Sequence, residues 1–403
     1  MPKNNQVVIT GLGIVAANGI GVDAFWQTLL AGQSGIGPIT LFDAQDLPCR
    51  IAGEVKSFDP LRYMDRGIKP HRLARFSQFA LAAAFMAIRD ANLDLAHLQT
   101  LTDVPVVMGV SSNAMEMAFK PLAPYTCIAG IPHAAASAIT YALNLKARLL
   151  TVSDGCASSL DAVALAAAMI RADQTDIAIA GGADSVMTRV VFEAFAKSRK
   201  LSQRNDEPER ACRPFDRARD GGVVGEGSGI VILENRVQAM ARGAHLYGEL
   251  TGYGTCADAP GSEEGAGLER AMNLALANAP RQAEQIDAVF AHGPSDPGMD
   301  RIESRLIARV LGQHAYRIPV TSIKGVTGNP MGTGGVHQVI TAALSLHHGL
   351  VPPTANYEFP DPECDLDYVP RTPRVAQLTA VMINTHGFGR GNSSLILEQT
   401  ARP

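Results

Sequence analysis

Cys156 is the residue around which the chain's chemistry can be organised. It sits in Leu149–Arg171, LLTVSDGCASSLDAVALAAAMIR, where the apolar run Leu149, Leu150 and Val152 reads as a short buried strand and Ser153-Asp154-Gly155 as a turn. The Ala- and Leu-rich stretch from Ser158 to Arg171 has no Gly or Pro and reads as a mostly buried helix. A cysteine at such a strand-to-helix turn meets unpaired helix N–H groups and the positive end of the helix dipole. Both favour the thiolate, which is the nucleophile. Free cysteines are also commonly small buried hydrophobes, so local context leaves the two readings level.

The elements that must position this residue alternate along the chain. Val7–Thr10 reads as a strand, followed by Gly11-Leu12-Gly13-Ile14-Val15-Ala16, and Val22–Leu30 as a helix. The GxGxxA pattern raises a dinucleotide-binding alternative. Against it, Asn18-Gly19-Ile20-Gly21 interrupts before the helix, and no acidic strand end follows at the required spacing. Residues 42–69 read as irregular, and a helix is predicted over Arg72–Asn92, opened by Arg66, Lys69, Arg72 and Arg75. Further elements are a strand at Val104–Val110, a helix at Pro132–Leu143 and a strand from Asp176 to Gly182. The polar, Gly-rich segment Leu201–Gly229 is too long for a simple connection and reads as a functional or Ω-like loop.

A strand is predicted at Val231–Glu234. The second half repeats the alternation, with helices over Gly267–Asn278 and Met299–Leu311, a strand at Ala288–Ala291 and a strand-turn-helix over Pro319–Leu350. Late strands fall near Ala380–Asn384 and Ser394–Glu398. This alternation predicts an α/β fold with buried sheets, with only weak internal sequence similarity.

Composition excludes several classes. The 403 residues allow a large core; 35 Lys and Arg against 39 Asp and Glu give a net charge of −4, which argues against a general nucleic-acid binder. No apolar run reaches membrane-spanning length, and MPKNNQVVIT lacks a signal pattern. Six scattered cysteines without a CxxC pair suggest neither a disulfide framework nor a zinc site, so a cytoplasmic location is expected.

Six motifs occur in a fixed order: SDGCASSLDA at Cys156, IAGGADS at Gly181, RACRPFDRARDGGVVGEGSG, AHGPSDPGMDRIE at His292, SIKGVTGNPMG at Lys324 and NTHGFGRGNSSL at Phe388. Together they resemble the elongating β-ketoacyl-acyl carrier protein synthases of the thiolase superfamily, essentially end to end. The resemblance implies a thiolase-like fold of two fused αβαβα halves, about 1–245 and 246–403, in a five-layer architecture and usually a dimer. It makes the first GxG a structural turn. It implies Cys156 as nucleophile, His292 as an enolate donor, Lys324 and Glu303 as a supporting charge pair and Phe388 as the gate beside Gly389. Backbone N–H groups of Cys156 and Phe388 would form the oxyanion hole.

The chain departs from that pattern. Asn329 replaces the family's second histidine, giving Cys-His-Asn, the set found in initiating ketoacyl synthases and chalcone synthases. An amide still donates to an enolate but cannot become a cation. Pro294 and Asp296 replace two threonines that hold the phosphopantetheine arm. His386 replaces an aromatic two residues before Phe388, either supplying a donor or filling the aromatic's space, and Arg390 and Gly391 alter the gate loop. His337 reads as a packed or solvent-facing helix residue.

The implied activity is acyl transfer to Cys156, then decarboxylative condensation with a malonyl-acyl carrier protein in a specialised fatty-acid or polyketide pathway, with no cofactor beyond the carrier's phosphopantetheine. Alternatives are a non-elongating acyltransferase and a non-catalytic, chain-length-factor-like partner; a homodimer or a heterodimer with a second ketosynthase-like subunit is expected. Arg66, Lys69, Arg72, Lys197 and Arg199 form a candidate surface for an acidic carrier. Ser111, Ser112, Met115 and Met117 are candidates for shaping the acyl pocket or the dimer contact.

Overall fold

The computed structural model describes residues 6–63, 67–112, 114–118, 124–387 and 389–400, with the backbone alone at 124 and 125. The first half carries strands β1 (Val7–Ala16), β2 (Val106–Gly109), β3 (Leu149–Val152), β4 (Ile177–Asp184) and β5 (Gly227–Asn235). The second carries β6 (Gly248–Ala257), β7 (Ala288–Phe290), β8 (Val320–Thr321), β9 (Ala380–His386) and β10 (Gly391–Glu398). The strand orders are β3-β2-β4-β5-β1 and β8-β7-β9-β10-β6.

Each set has the same pattern: its second strand runs parallel to both neighbours, and its other pairings are antiparallel. The two halves are thus a topological repeat that the sequence scarcely shows. They join edge to edge where Val7–Ile9 of β1 pairs with β6, making one eleven-stranded sheet with the short strand Gly19–Ile20.

Helices complete the layers. α1 (Arg75–Asp90) and α2 (Ala134–Leu143) cover the outer face of the first set, and α4 (Ala266–Asn278) and α5 (Pro297–Leu311) that of the second. Between the sets lie α3 (Ser158–Arg171) and α6 (Gly334–His348), whose Leu160, Val163, Val336 and Ile340 share one core with Val7, Val231, Ile383 and Leu395. α6 is buried on all sides up to its last two residues, which explains its all-round small and apolar sequence, whereas α3 leaves a stripe at Asp161, Leu165 and Ala168 uncovered. No helix among the described residues is long and apolar enough to cross a membrane.

Several expectations change. Gly11-Leu12-Gly13 is not a turn but the middle of fully buried β1. A Cβ at Gly11 would lie 2.3 Å from the Ala87 carbonyl oxygen, and one at Gly13 2.0 Å from that of Ala83. The glycines therefore let α1 lie directly on the strand. Gly13→Ala is expected to destabilise the protein by about 1–3 kcal/mol through overpacking, read as a lower denaturant midpoint at unchanged slope.

β3 is not buried: Leu149 is exposed, because β3 is an edge strand bonded only to β2. The helix predicted from Arg72 begins at Arg75 after a separate turn at Pro70–Arg72, and the strand expected at Val231 begins at Gly227.

His337 is fully buried in α6 rather than solvent-facing, and burial pushes its imidazole down to about 4. The unfolded chain then binds the proton more readily between pH 6.5 and 4, so native stability falls across that window as pH drops. His337→Leu is expected to flatten this loss by up to about 3 kcal/mol, read by denaturant titration at pH 7 and pH 4.

Candidate active site

Cys156 lies in the tight turn Gly155–Ala157 that ends β3 and opens α3. Gly155 has φ +75°, and Ser158 Oγ donates to the Gly155 carbonyl while accepting from the Asp154 N–H, which locks the turn. Cys156 is buried, with the backbone of Gly387 against its own: a Cβ at Gly387 would come 3.3 Å from the Cys156 nitrogen. Gly387, which follows β9, thus lies beside the nucleophile. Phe388, the expected gate and half of the oxyanion hole, lies outside the described residues, as does Arg66. Gly389 follows in the same loop, in the turn to β10.

His292 follows β7 and is set by its neighbours. Glu303 on α5 accepts the N–H groups of His292 (2.7 Å) and Gly293 (2.8 Å), and Asp300 one turn earlier accepts those of Phe215 and Ser295. Lys324 Nζ donates to the His292 carbonyl and stands 3.3 Å from Nδ1. An ammonium only donates, so Nδ1 accepts and the ring proton resides on Nε2.

Burial first, then the charge of Lys324 and the proximity of His386, holds the imidazole well below 6.5, so it is neutral. Among the described residues Nε2 has no partner, which leaves it as a donor. Glu303 and Lys324 therefore meet at His292; among the described residues they form no direct ion pair, because each is spent on a different group of that residue. Burial lowers the Lys324 ammonium, opposed by the charges of Glu303 and Cys156, which places Lys324 within electrostatic reach of the thiol.

Asn329 follows the short helix Lys324–Thr327. Its N–H donates to the Val223 carbonyl and its carbonyl accepts from the Gly225 N–H, both at 2.7 Å, which ties it to the long Gly-rich segment. Its Oδ1 is buried, without a partner among the described residues. Rotating the amide by 180° presents the NH2 at that edge, so Asn329 offers a second donor.

Two cavities flank the site. One of about 260 Å³ is walled by Phe195, Leu201, Val223, Pro294, Asn329 and Met331; a more polar one of about 350 Å³ is walled by Asp258, Glu264, His386, Gly387 and Arg390. Lys200 and Asp296 border both. Asp296 is buried and caps α5, accepting the Gly298 and Met299 N–H groups.

His386 is buried, its Nδ1 has no partner among the described residues, and burial lowers its pKa. It faces the polar cleft, next to the loop glycine that touches Cys156. If it supplies a donor, His386→Phe is expected to remove decarboxylation while sparing acylation of Cys156, in a malonyl-dependent CO2 assay. Near-normal turnover would assign it to packing alone.

Ser111 and Ser112 both donate to buried Asp184, which also takes the Gly332 N–H and so fixes the turn after Asn329. Met115 is exposed, whereas Met117 is in the core. Lys197 pairs with Glu193, while Arg199 and Lys200 continue past it to the cavity rim. Lys69 and Arg72 are exposed on the turn preceding α1. Arg75, in contrast, binds buried Glu226 through two nitrogens and is structural.

Sequence reading missed Asp184, Asp300 and Gln338. Gln338 Nε2 spans the carbonyls of Phe290, Ala291 and Asn384, joining β7 to β9 directly beneath His292. The available signal was the single amide of that helix, beside His337.

The profile described as "Beta-ketoacyl synthase, N-terminal domain" matches residues 4–239, and "Beta-ketoacyl synthase, C-terminal domain" matches 247–358. A relative in Synechocystis, 3-oxoacyl-[acyl-carrier-protein] synthase 2, is 36% identical over 98% of this chain and 99% of its own. The ishigamide ketosynthase/chain length factor superposes with a TM-score of 0.91 at 32% identity, covering 98% of this chain and 99% of that one. A type II PKS acyl-carrier protein in complex with its ketosynthase, bound to the hexaketide, gives a TM-score of 0.87 at 28% identity and covers 100% of both chains.

Proposed function

The chain belongs to the β-ketoacyl synthase family and is a ketosynthase-type condensing enzyme; from that premise we propose that Cys156, His292 and Asn329 carry two half-reactions on carrier-bound substrates. In the first, the Cys156 thiolate attacks an acyl thioester. The new S–C bond forms as the carbonyl–sulfur bond to the carrier breaks, and the departing carrier thiolate takes up the proton that Cys156 gave up. In the second, a malonyl thioester loses carbon dioxide, and the electron pair of the broken C–C bond becomes an enolate. Its carbon attacks the acyl-enzyme, a β-ketoacyl thioester forms, and the Cys156 thiolate is released.

The observation that carries this reading is the pairing of Lys324 with His292 Nδ1, which leaves a neutral ring whose buried Nε2–H has no partner among the described residues. A fixed donor in a water-poor site stabilises an enolate oxygen without reorganising. Asn329 is the second donor, and Glu303 and Lys324 are positioning residues. The chemistry is complete with side chains and carrier-bound thioesters. Retention of the whole Cys156-His292-Lys324 arrangement favours a condensing role over a non-catalytic partner.

We place the boundary between the halves near residue 245 and the compartment in the cytosol, which suits six free cysteines. The uncovered edge of β3, with Tyr141 and Leu149 exposed beside it, suits a dimer with a second copy or a ketosynthase-like subunit. Lys69, Arg72, Lys197 and Arg199 are the proposed carrier contacts. The test is malonyl-carrier turnover with an acyl-carrier primer. Carbon dioxide released in step with β-ketoacyl product is expected; release without condensation, or neither, would reject the reading.

A further inference from the structure

The apolar and polar cavities beside the site meet at one ion pair, Lys200 Nζ to Asp296 Oδ2 at 3.2 Å. We propose that this pair is a latch across a single substrate channel, and that the carrier's anionic phosphopantetheine arm opens it by taking Lys200. The inference rests on the carrier-dependent reading above.

The two partners are unequal. Lys200 is 53% exposed and follows Lys197 and Arg199 along one basic rim, whereas Asp296 is 4% exposed. Asp296 Oδ1 accepts the Gly298 and Met299 N–H groups, each at 3.0 Å, at the positive end of α5. When Lys200 swings away, the buried carboxylate keeps these two bonds and the helix dipole, so no uncompensated charge is left behind.

Breaking a pair whose cation is largely in water costs little, and a phosphodiester arriving from solvent replaces the lost attraction. Opening joins the cleft that reaches Gly387, against Cys156, to the one that reaches Asn329. A neutral thioester has no anion to offer and meets the channel closed.

The test compares Cys156 acylation by one acyl group presented on the carrier protein and on neutral N-acetylcysteamine, in the wild type, Lys200→Gln and Asp296→Asn. Asparagine still caps a helix, so Asp296→Asn removes the latch and keeps α5 intact. The neutral thioester is expected to gain about 2- to 5-fold in kcat/KM in both variants. The carrier thioester is expected to lose a similar factor in Lys200→Gln and to gain in Asp296→Asn. Alkylation of Cys156 by iodoacetamide, which needs no acyl transfer, is expected to accelerate in both.

Unchanged neutral-thioester and iodoacetamide rates in both variants, with the wild type acylating normally, overturn the latch alone. Equal carrier losses in the two variants do the same. A wild type that neither thioester acylates overturns the carrier-dependent reading and the latch with it.

Discussion

Cys156→Ala is expected to abolish the acyl-enzyme and to lower turnover by about 10⁴- to 10⁶-fold, the scale on which enzymes lose a nucleophile. The turn around Cys156 is held by Ser158 and Gly155, and neither hydrogen bond uses the thiol. The variant should therefore fold and unfold at a denaturant midpoint close to that of the wild type. A loss of turnover at preserved stability assigns the effect to chemistry. Burial raises the other buried thiols, Cys212 to about 12 and Cys49 and Cys364 to about 11, so none can substitute near neutral pH.

His292→Ala is expected to divide the two half-reactions. Acylation of Cys156 should persist, because His292 Nε2 stabilises an enolate that arises only after malonyl decarboxylation. Condensation should fall by about 10²- to 10⁴-fold, the range for loss of one preorganised donor or proton-transfer group. Burial, then Lys324 and His386, keep the wild-type ring neutral. The condensation rate should thus show no imidazole titration through the neutral range. A rate that falls as pH drops through 6.5 would mean that His292 is charged near its ordinary value. Single-turnover quench measurements on preformed acyl-enzyme separate the steps.

The nucleophile was legible because its grammar is local: a strand, a Gly turn and a helix within about twenty residues specify where Cys156 stands. The order of the motifs likewise fixed the family and the alternation of elements. What escaped was set at long range. Gly11 and Gly13 read as a turn because two glycines look alike in a turn and beneath a helix; only α1, some seventy residues later, shows why they are small. The family resemblance implied Glu303 and Lys324 as a charge pair, yet among the described residues each serves a different group of His292.

The repeat of the halves resides in strand pairing, not in matching residues, so sequence similarity stayed weak. Asp296 read as a departure from a threonine that holds the phosphopantetheine arm. The cap of α5 and the contact with Lys200 show that it is satisfied and placed.

Intact-protein mass spectrometry tests the central claim most directly, following Cys156 first with an acyl-carrier thioester and then with malonyl-carrier protein, beside Cys156→Ala. The account predicts an acyl adduct on the wild type alone that disappears on malonyl addition as an elongated β-keto product appears. An adduct that persists with malonyl-carrier protein, yet passes to an amine or alcohol, would contradict it and make Cys-His-Asn an acyl-transfer site.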